Sequence, residues 1–235
     1  QEAQNFMGSD LAMRVYTSRL LGQNADLVLH GGGNTSVKSV EKNIFGEPEE
    51  ILFVKGSGWD LKTIEAEGFS PSRQDVLKRL GGLASMTDTE MTRELRASMI
   101  NPGAPSPSVE AILHALIPLK FVDHTHTDAV VAISNTESGE KALREIFGDS
   151  VLILPYVMPG FILSQQVYEA TKNTNWDELE GIILLHHGLF TFHDDAKTSY
   201  DNMIKLVTKA EEYLASKEAL DASAKSSYVA KKNDY

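Results

Sequence analysis

Apolar positions recur along this chain with two different periods, and the changes of period mark out its elements. Leu11 and Val15 share one face of a helix that Ser9 can cap and that is expected to end near Leu21, before Gly22. Thr87 to Glu90 carries a capping-box pattern, with Met91 and Leu95 as the apolar contacts of the helix it opens. Val109, Ile112, Leu113 and Leu116 fall at helical spacing after Ser106-Pro107, which reads as a cap and a first-turn proline. Ser138 to Gly148 predicts a helix closed by glycine, and Ser164 to Lys172 predicts another. The longest stripe, Tyr200, Met203, Ile204, Val207, Tyr213 and Leu214, follows a start near Asp194. Short apolar runs predict strands at Leu27 to Leu29, Ile51 to Val54, Val151 to Leu154 and Gly181 to Leu185, and Phe121 to Ile133 reads as strand around its histidines. With no internal repeat or linker, the pattern predicts one α/β domain over 1–235, in which 217–235 form a small, polar, charged tail.

Two of these strands run straight into glycines, Gly31-Gly32-Gly33-Asn34-Thr35-Ser36 and Gly56-Ser57-Gly58. Backbone N–H groups and hydroxyls exposed at such turns, and at Ser106 to Ser108, can satisfy the oxygens of a phosphate. Neither loop is a Walker P-loop or a G-x-G-x-x-G dinucleotide turn. Within Asp123-His124-Thr125-His126, strand alternation puts His124 and His126 on one face with Val122, and Asp123 and Thr125 on the other. His186-His187-Gly188 ends another apolar strand. Neighbouring residues there face opposite ways, so one imidazole is expected to join His124 and His126 and the other to be buried and hydrogen-bonded. Three imidazoles with an open position match the donor set of a catalytic zinc ion. Glu110 stands on the flank of an apolar helix turn, either complementing the helix dipole or serving beside the metal as a general acid/base with a pKa raised by burial. His114, one turn on, reads as support for that region or as packing.

Composition narrows the partners. The chain has 33 acidic and 22 basic side chains, a formal charge of -11, so its surface repels a long run of phosphates and nucleic acid is not an expected partner. It contains no cysteine, which excludes disulfides and thiolate ligands and leaves imidazole and oxygen for any metal. That composition fits a reducing compartment, and a cytoplasmic location is expected. The longest apolar runs fall far short of the ~20 residues that span a bilayer, so no membrane association is expected. Residues 1–7 show no basic segment followed by an apolar one, so no secretory signal is expected there.

Taken in order, Gly32-Gly33-Asn34-Thr35-Ser36, Lys55-Gly56-Ser57-Gly58, Pro107-Ser108-Val109-Glu110, His124-Thr125-His126 and His187-Gly188-Leu189 resemble the class II aldolase/adducin family. The likeness covers residues 9 to 215. In wording the chain is most similar to the aldolase part of bifunctional rhamnulose-phosphate aldolase/lactaldehyde dehydrogenases. The resemblance implies a three-layer α/β/α sandwich around a mainly antiparallel sheet, assembled as a homotetramer with sites at subunit interfaces. It also implies zinc, or another divalent metal, on His124, His126 and His187, with Glu110 as the catalytic acid/base. A small sugar phosphate would lie against Gly33, Asn34, Ser57, Gly58 and Ser108, although one serine of the family falls on Val109. The implied reaction is cleavage of a ketose 1-phosphate to dihydroxyacetone phosphate and a small aldehyde. Decarboxylases, epimerases and a non-catalytic adducin-like module are the family alternatives, and glutamate at 110, where the epimerase branch typically has aspartate, tilts the balance toward carbon-carbon cleavage. For the tyrosine that family aldolases take from an adjacent subunit, Tyr156, Tyr228 and Tyr235 are the candidates.

Overall fold

A computed structural model describes residues 9–217 of the chain; residues 218–235, which hold most of the expected tail together with Tyr228 and Tyr235, lie outside the described residues. Helix α1 (Asp10–Gln23) begins where the Ser9 Oγ accepts the Ala12 N–H at 3.1 Å. It does not stop at Gly22. That glycine instead admits a crossing loop, since a Cβ there would stand 2.2 Å from the Lys62 nitrogen. Leu27 and Val28 are buried, but their N–H groups bond to the Asn24 carbonyl, so the expected strand is a turn whose side chains enter the core.

Strands β1 (Asn34–Lys42) and β2 (Pro48–Lys55) form a hairpin, followed by β3 (Phe69–Arg73), α2 (Gln74–Gly81) and α3 (Asp88–Ser98), the last opened by the expected capping box. Then come α4 (Ala111–Leu116), β4 (Phe121–Thr125), α5 (Asp128–Ser134), α6 (Gly139–Phe147), β5 (Val151–Leu154), α7 (Phe161–Thr171), β6 (Gly181–Leu184), β7 (Gly188–His193) and α8 (Ala196–Ser216). The strand expected through Ile133 therefore ends at Thr125, and its apolar second half is a helix.

The seven strands stand in the order β3-β2-β1-β4-β7-β6-β5. The expected mainly antiparallel sheet is a mixed one. Strand β5 lies parallel to β6, because the segment between them carries α7 and is long enough to cross over, whereas the other pairs are antiparallel. Alternate residues of β6 enter two separate cores. Ile183 packs with Ala142, Leu143, Met203 and Val207 of α6 and α8, and Ile182 and Leu184 pack with Leu113 of α4 and Leu163 and Val167 of α7. Burying each such aliphatic side chain contributes ~1.5–3 kcal/mol. Among the described residues no helix is long and apolar enough to cross a membrane.

Candidate metal centre

Strand β4 obeys the expected alternation. Asp123 and Thr125 turn toward α8, where they meet Ser199 and Met203, while Val122 and His124 face the α4 and α7 side. His124 is buried, its ring stacked 4.0 Å from that of Phe190. His126 lies one residue past the strand and is the most exposed of the set. His187 comes from the turn between β6 and β7, which passes over the same sheet end because Thr125 pairs with Leu189.

The three rings gather with centroids 4.8 to 5.0 Å apart. One nitrogen from each lies within 4.8 Å of the others. Nε2 of His124 and Nε2 of His126 are 3.0 Å apart. Two nitrogens bound to one tetrahedral zinc stand about 3.3 Å apart, so this pair is already at chelating distance. His124 donates its Nδ1–H to the Leu189 carbonyl at 3.1 Å, which leaves the Nε2 lone pair facing its neighbours. Burial first, then the adjacent imidazoles, holds the pKa of His124 far below the ordinary histidine value. Burial also lowers His126, helped by the Lys55 charge, and lowers His187 against the pull of Glu110. All three are thereby kept in the neutral form that ligates metal.

His186 takes the other fate, but at the surface and not in the core. It is exposed, its Nδ1 is 2.7 Å from Asn135 Oδ1, and its φ of 58° supplies the left-handed step that turns the chain back to His187.

Glu110 reaches the site from the start of α4. The helix begins at Ala111, later than Ser106-Pro107 suggested, because 106–108 pairs with the end of β2: the Ser57 N–H bonds to the Ser106 carbonyl at 2.8 Å and the Ser108 N–H to the Lys55 carbonyl at 3.1 Å. That bridge sets Glu110 at the helix cap, its carboxylate buried. Oε2 accepts from Asn34 Nδ2 at 2.6 Å and is 3.5 Å from His124 Nε2, whereas Oε1 is 3.5 Å from His187 Nε2 and has no hydrogen-bond partner. Burial raises the Glu110 pKa above the usual carboxylate value, opposed by His187, by the Asn34 hydrogen bond and by Lys55. An orphaned, buried carboxylate oxygen beside three neutral imidazoles fits a divalent cation.

These groups open onto a cavity of about 350 Å³, lined among others by Gly33, Asn34, Ser57, Gly58 and Ser108, as well as by Lys55. The turns that the glycine clusters predicted are made with left-handed steps at Gly33 and Gly58, whose φ are 60° and 86°. Lys55 is the residue that sequence reasoning passed over. It stands inside a quoted motif, but only the strand-to-turn geometry shows its buried stem bringing Nζ to the Gly31 carbonyl at 3.0 Å on the cavity wall. Tyr156 is half exposed, with its ring 6.3 Å from that of His186.

The family described as "Class II Aldolase and Adducin N-terminal domain" matches residues 13–214. The chain belongs to the class II aldolase/adducin family. Among solved structures it is similar to the N-terminal class II aldolase domain of a conserved protein from Thermoplasma acidophilum, at 44% identity and a TM-score of 0.82, over 88% of this chain and 95% of that one. It shares its fold with L-fuculose-1-phosphate aldolase from Thermus thermophilus, at 17% identity and a TM-score of 0.54, over 90% and 98% of the two chains. A relative from Bacillus subtilis, the "Uncharacterized oxidoreductase YuxG", is 39% identical over 200 residues. That match covers 85% of this chain but only 29% of the relative, so the chain spans less than a third of that relative's length.

Proposed function

We propose that the chain is a metal-dependent ketose-1-phosphate aldolase of the rhamnulose- or fuculose-phosphate type, which releases dihydroxyacetone phosphate and a small aldehyde. The observation that carries this reading is Oε1 of Glu110, buried, unpartnered and aimed at the histidine cluster. His124, His126 and His187 would hold zinc or another divalent cation. Such an ion, when bound, supplies Lewis-acid polarisation of a substrate carbonyl and its neighbouring hydroxyl. The protein's own part is a proton. With Oε2 engaged by Asn34, Oε1 is the atom that holds it, and burial favours that protonated form by raising the pKa above the usual carboxylate value. As the bond between carbons 3 and 4 breaks, the carbon 4 hydroxyl gives its proton to solvent and becomes the aldehyde, the electron pair of the broken bond stays on carbon 3, and carbon 3 takes the proton from Oε1, which solvent then replaces. No Schiff-base lysine is required.

On this reading the substrate phosphate would lie against the turns at Gly33 and at Ser57-Gly58 and against Ser108, which is supported by their lining one cavity with Asn34 and Lys55, the latter a basic side chain in an otherwise acidic protein. Exposed apolar side chains support a homotetramer with sites at subunit interfaces, since Val109 on the cavity wall is 46% exposed, and Met158 and Ile162, close in sequence to the cavity-lining Pro159, are 68% and 61% exposed. Helices on both faces of the sheet support the three-layer α/β/α arrangement.

The test is zinc-loaded protein assayed with rhamnulose 1-phosphate and fuculose 1-phosphate, with coupled detection of dihydroxyacetone phosphate and parallel measurement of carbon dioxide from phosphorylated keto-acids. Triose phosphate release that is lost in Glu110→Gln is expected. Carbon dioxide without triose phosphate, or full activity in protein free of transition metal, overturns the proposal.

A further inference from the structure

The carboxylate of Glu110 is held by a chain of hydrogen bonds whose direction is forced from one end. A carboxylate oxygen only accepts, so the Asn34 group facing Oε2 must be its amide nitrogen. The second hydrogen of that nitrogen faces Ser108 Oγ at 3.2 Å. Asn34 Oδ1 is therefore turned the other way, onto Nε2 of His114, which must carry a hydrogen to meet it. Nδ1 of His114 is then bare and accepts from the Ser36 hydroxyl at 2.7 Å. The far end of this chain is out of water: His114 and Ser36 are fully buried, and the His114 ring stands edge-on to Phe190 at 5.5 Å. Asn34 and Ser36 share one face of β1, two residues apart, and His114 sits one turn after Glu110 on α4, so strand period and helix period close the circuit together.

We propose that His114 is a positioning residue, which through Asn34 decides that Oε2 of Glu110 is the tied oxygen and Oε1 the one presented to the histidine cluster. Its turnover arm rests on the aldolase reading; its spectroscopic and structural arms do not. Without the His114 N–H, Asn34 Oδ1 loses its donor, the amide is held from the carboxylate side alone, and the tie on Oε2 loosens. Asn34, which the family resemblance placed against substrate phosphate, is by this geometry spent mainly on the catalytic carboxylate.

Three measurements test this. Long-range proton–nitrogen correlation spectra of the full chain, metal-free and zinc-loaded, should show His114 as the neutral tautomer protonated on Nε2; protonation on Nδ1 overturns the proposal. A crystal structure of His114→Leu should show the Asn34–Glu110 contact loosened or broken, and an unchanged contact overturns it. In turnover, His114→Leu should lower kcat by up to ~100-fold with KM little changed, the scale of a misplaced catalytic group. His114→Gln, whose amide can donate to Asn34 and accept from Ser36, should recover most of that loss. Should His114→Leu not fold, Ser36→Ala carries the same test, with a smaller fall in kcat and loss of the single tautomer. If the parent releases no triose phosphate while the tautomer and the broken contact are found, the aldolase reading falls and the positioning role stands.

Discussion

Behind the histidine strand lies a fully buried ion pair, and removing one member of it should cost the protein a large part of its stability. Arg14 of α1 donates through Nη2 to Asp123 Oδ1 and to Thr17 Oγ1, and through Nη1 to the carbonyls of Ser36 and Val122 at 3.4 Å. Ser199 of α8 donates to the other oxygen of Asp123 at 2.5 Å, and neither charged side chain is exposed. Burial lowers the Arg14 pKa, opposed by Asp123, and the guanidinium stays charged. Arg14→Met leaves the carboxylate with one hydroxyl for company, and breaking a buried pair from one side costs ~3–5 kcal/mol. A domain is stable by about 5–15 kcal/mol, so roughly a fifth or more of the total is at stake. For a chain of this size that corresponds to a fall in Tm of roughly 6–20 °C. Asp123→Leu should cost a similar amount, whereas Arg14→Met/Asp123→Leu together should recover most of either loss, because the desolvation of both charges disappears with them. Urea unfolding of all four proteins, in chelator so that metal binding does not enter, gives the coupling energy directly. Single variants that lose less than ~1 kcal/mol, or losses that simply add, refute the account.

The remaining predictions concern the site and one lysine. His187→Ala should abolish stoichiometric zinc by elemental analysis, and stripping the metal from the parent should lower Tm by ligand linkage, an effect absent from the variant. Gly33→Ala adds a Cβ 2.7 Å from the His124 carbonyl at a φ of 60°, and should cost more than Gly46→Ala, which is strained at φ 81° but open, by ~1–3 kcal/mol in denaturant unfolding. Lys38 is buried, its pKa lowered by desolvation from 10.5 to about 7. Above that value the folded state holds it neutral while the unfolded state still binds the proton, so stability rises from pH 7 toward 10, and Lys38→Met should remove that rise, at most ~1.4 kcal/mol per pH unit.

What was legible in the sequence is what local chemistry decides. The caps at Ser9 and Thr87 and the positive-φ stop at Gly148 act within one turn of chain, and the helices they bound are where the pattern put them. Strand β1 was not legible, because Asn34–Lys42 is polar and is a strand only by virtue of β2 on one side and β4 on the other. Helix α5 was hidden in an apolar run that suits either period until Asp128 breaks from the sheet. At the site, His124, His126 and one of His186 and His187 could be named from residue type and spacing, whereas the choice of His187 and the role of Glu110 came from the family resemblance. The hold of Asn34 on Glu110 could be read from neither, since it joins a strand to a helix 76 residues away.

The ion pair and the metal centre are linked by the two-residue period of β4. Asp123 and His124 are neighbours on opposite faces, so a slip of one residue against β1 or β7 would carry the aspartate into the histidine cluster and the imidazole into the α8 core. Val122 and Phe121 are apolar and would tolerate either face, which leaves the charged side chain as the group that penalises the slip. Arg14 and Ser199 approach from two different helices and can satisfy only a carboxylate lying on their side. The lock on the far face therefore fixes the register that presents His124 opposite Asn34. The paired variant Arg14→Met/Asp123→Leu separates the two roles: it should regain stability yet bind zinc more weakly than the parent by calorimetry. Full zinc affinity in that variant would mean that the hairpin and helix packing set the register without the charges.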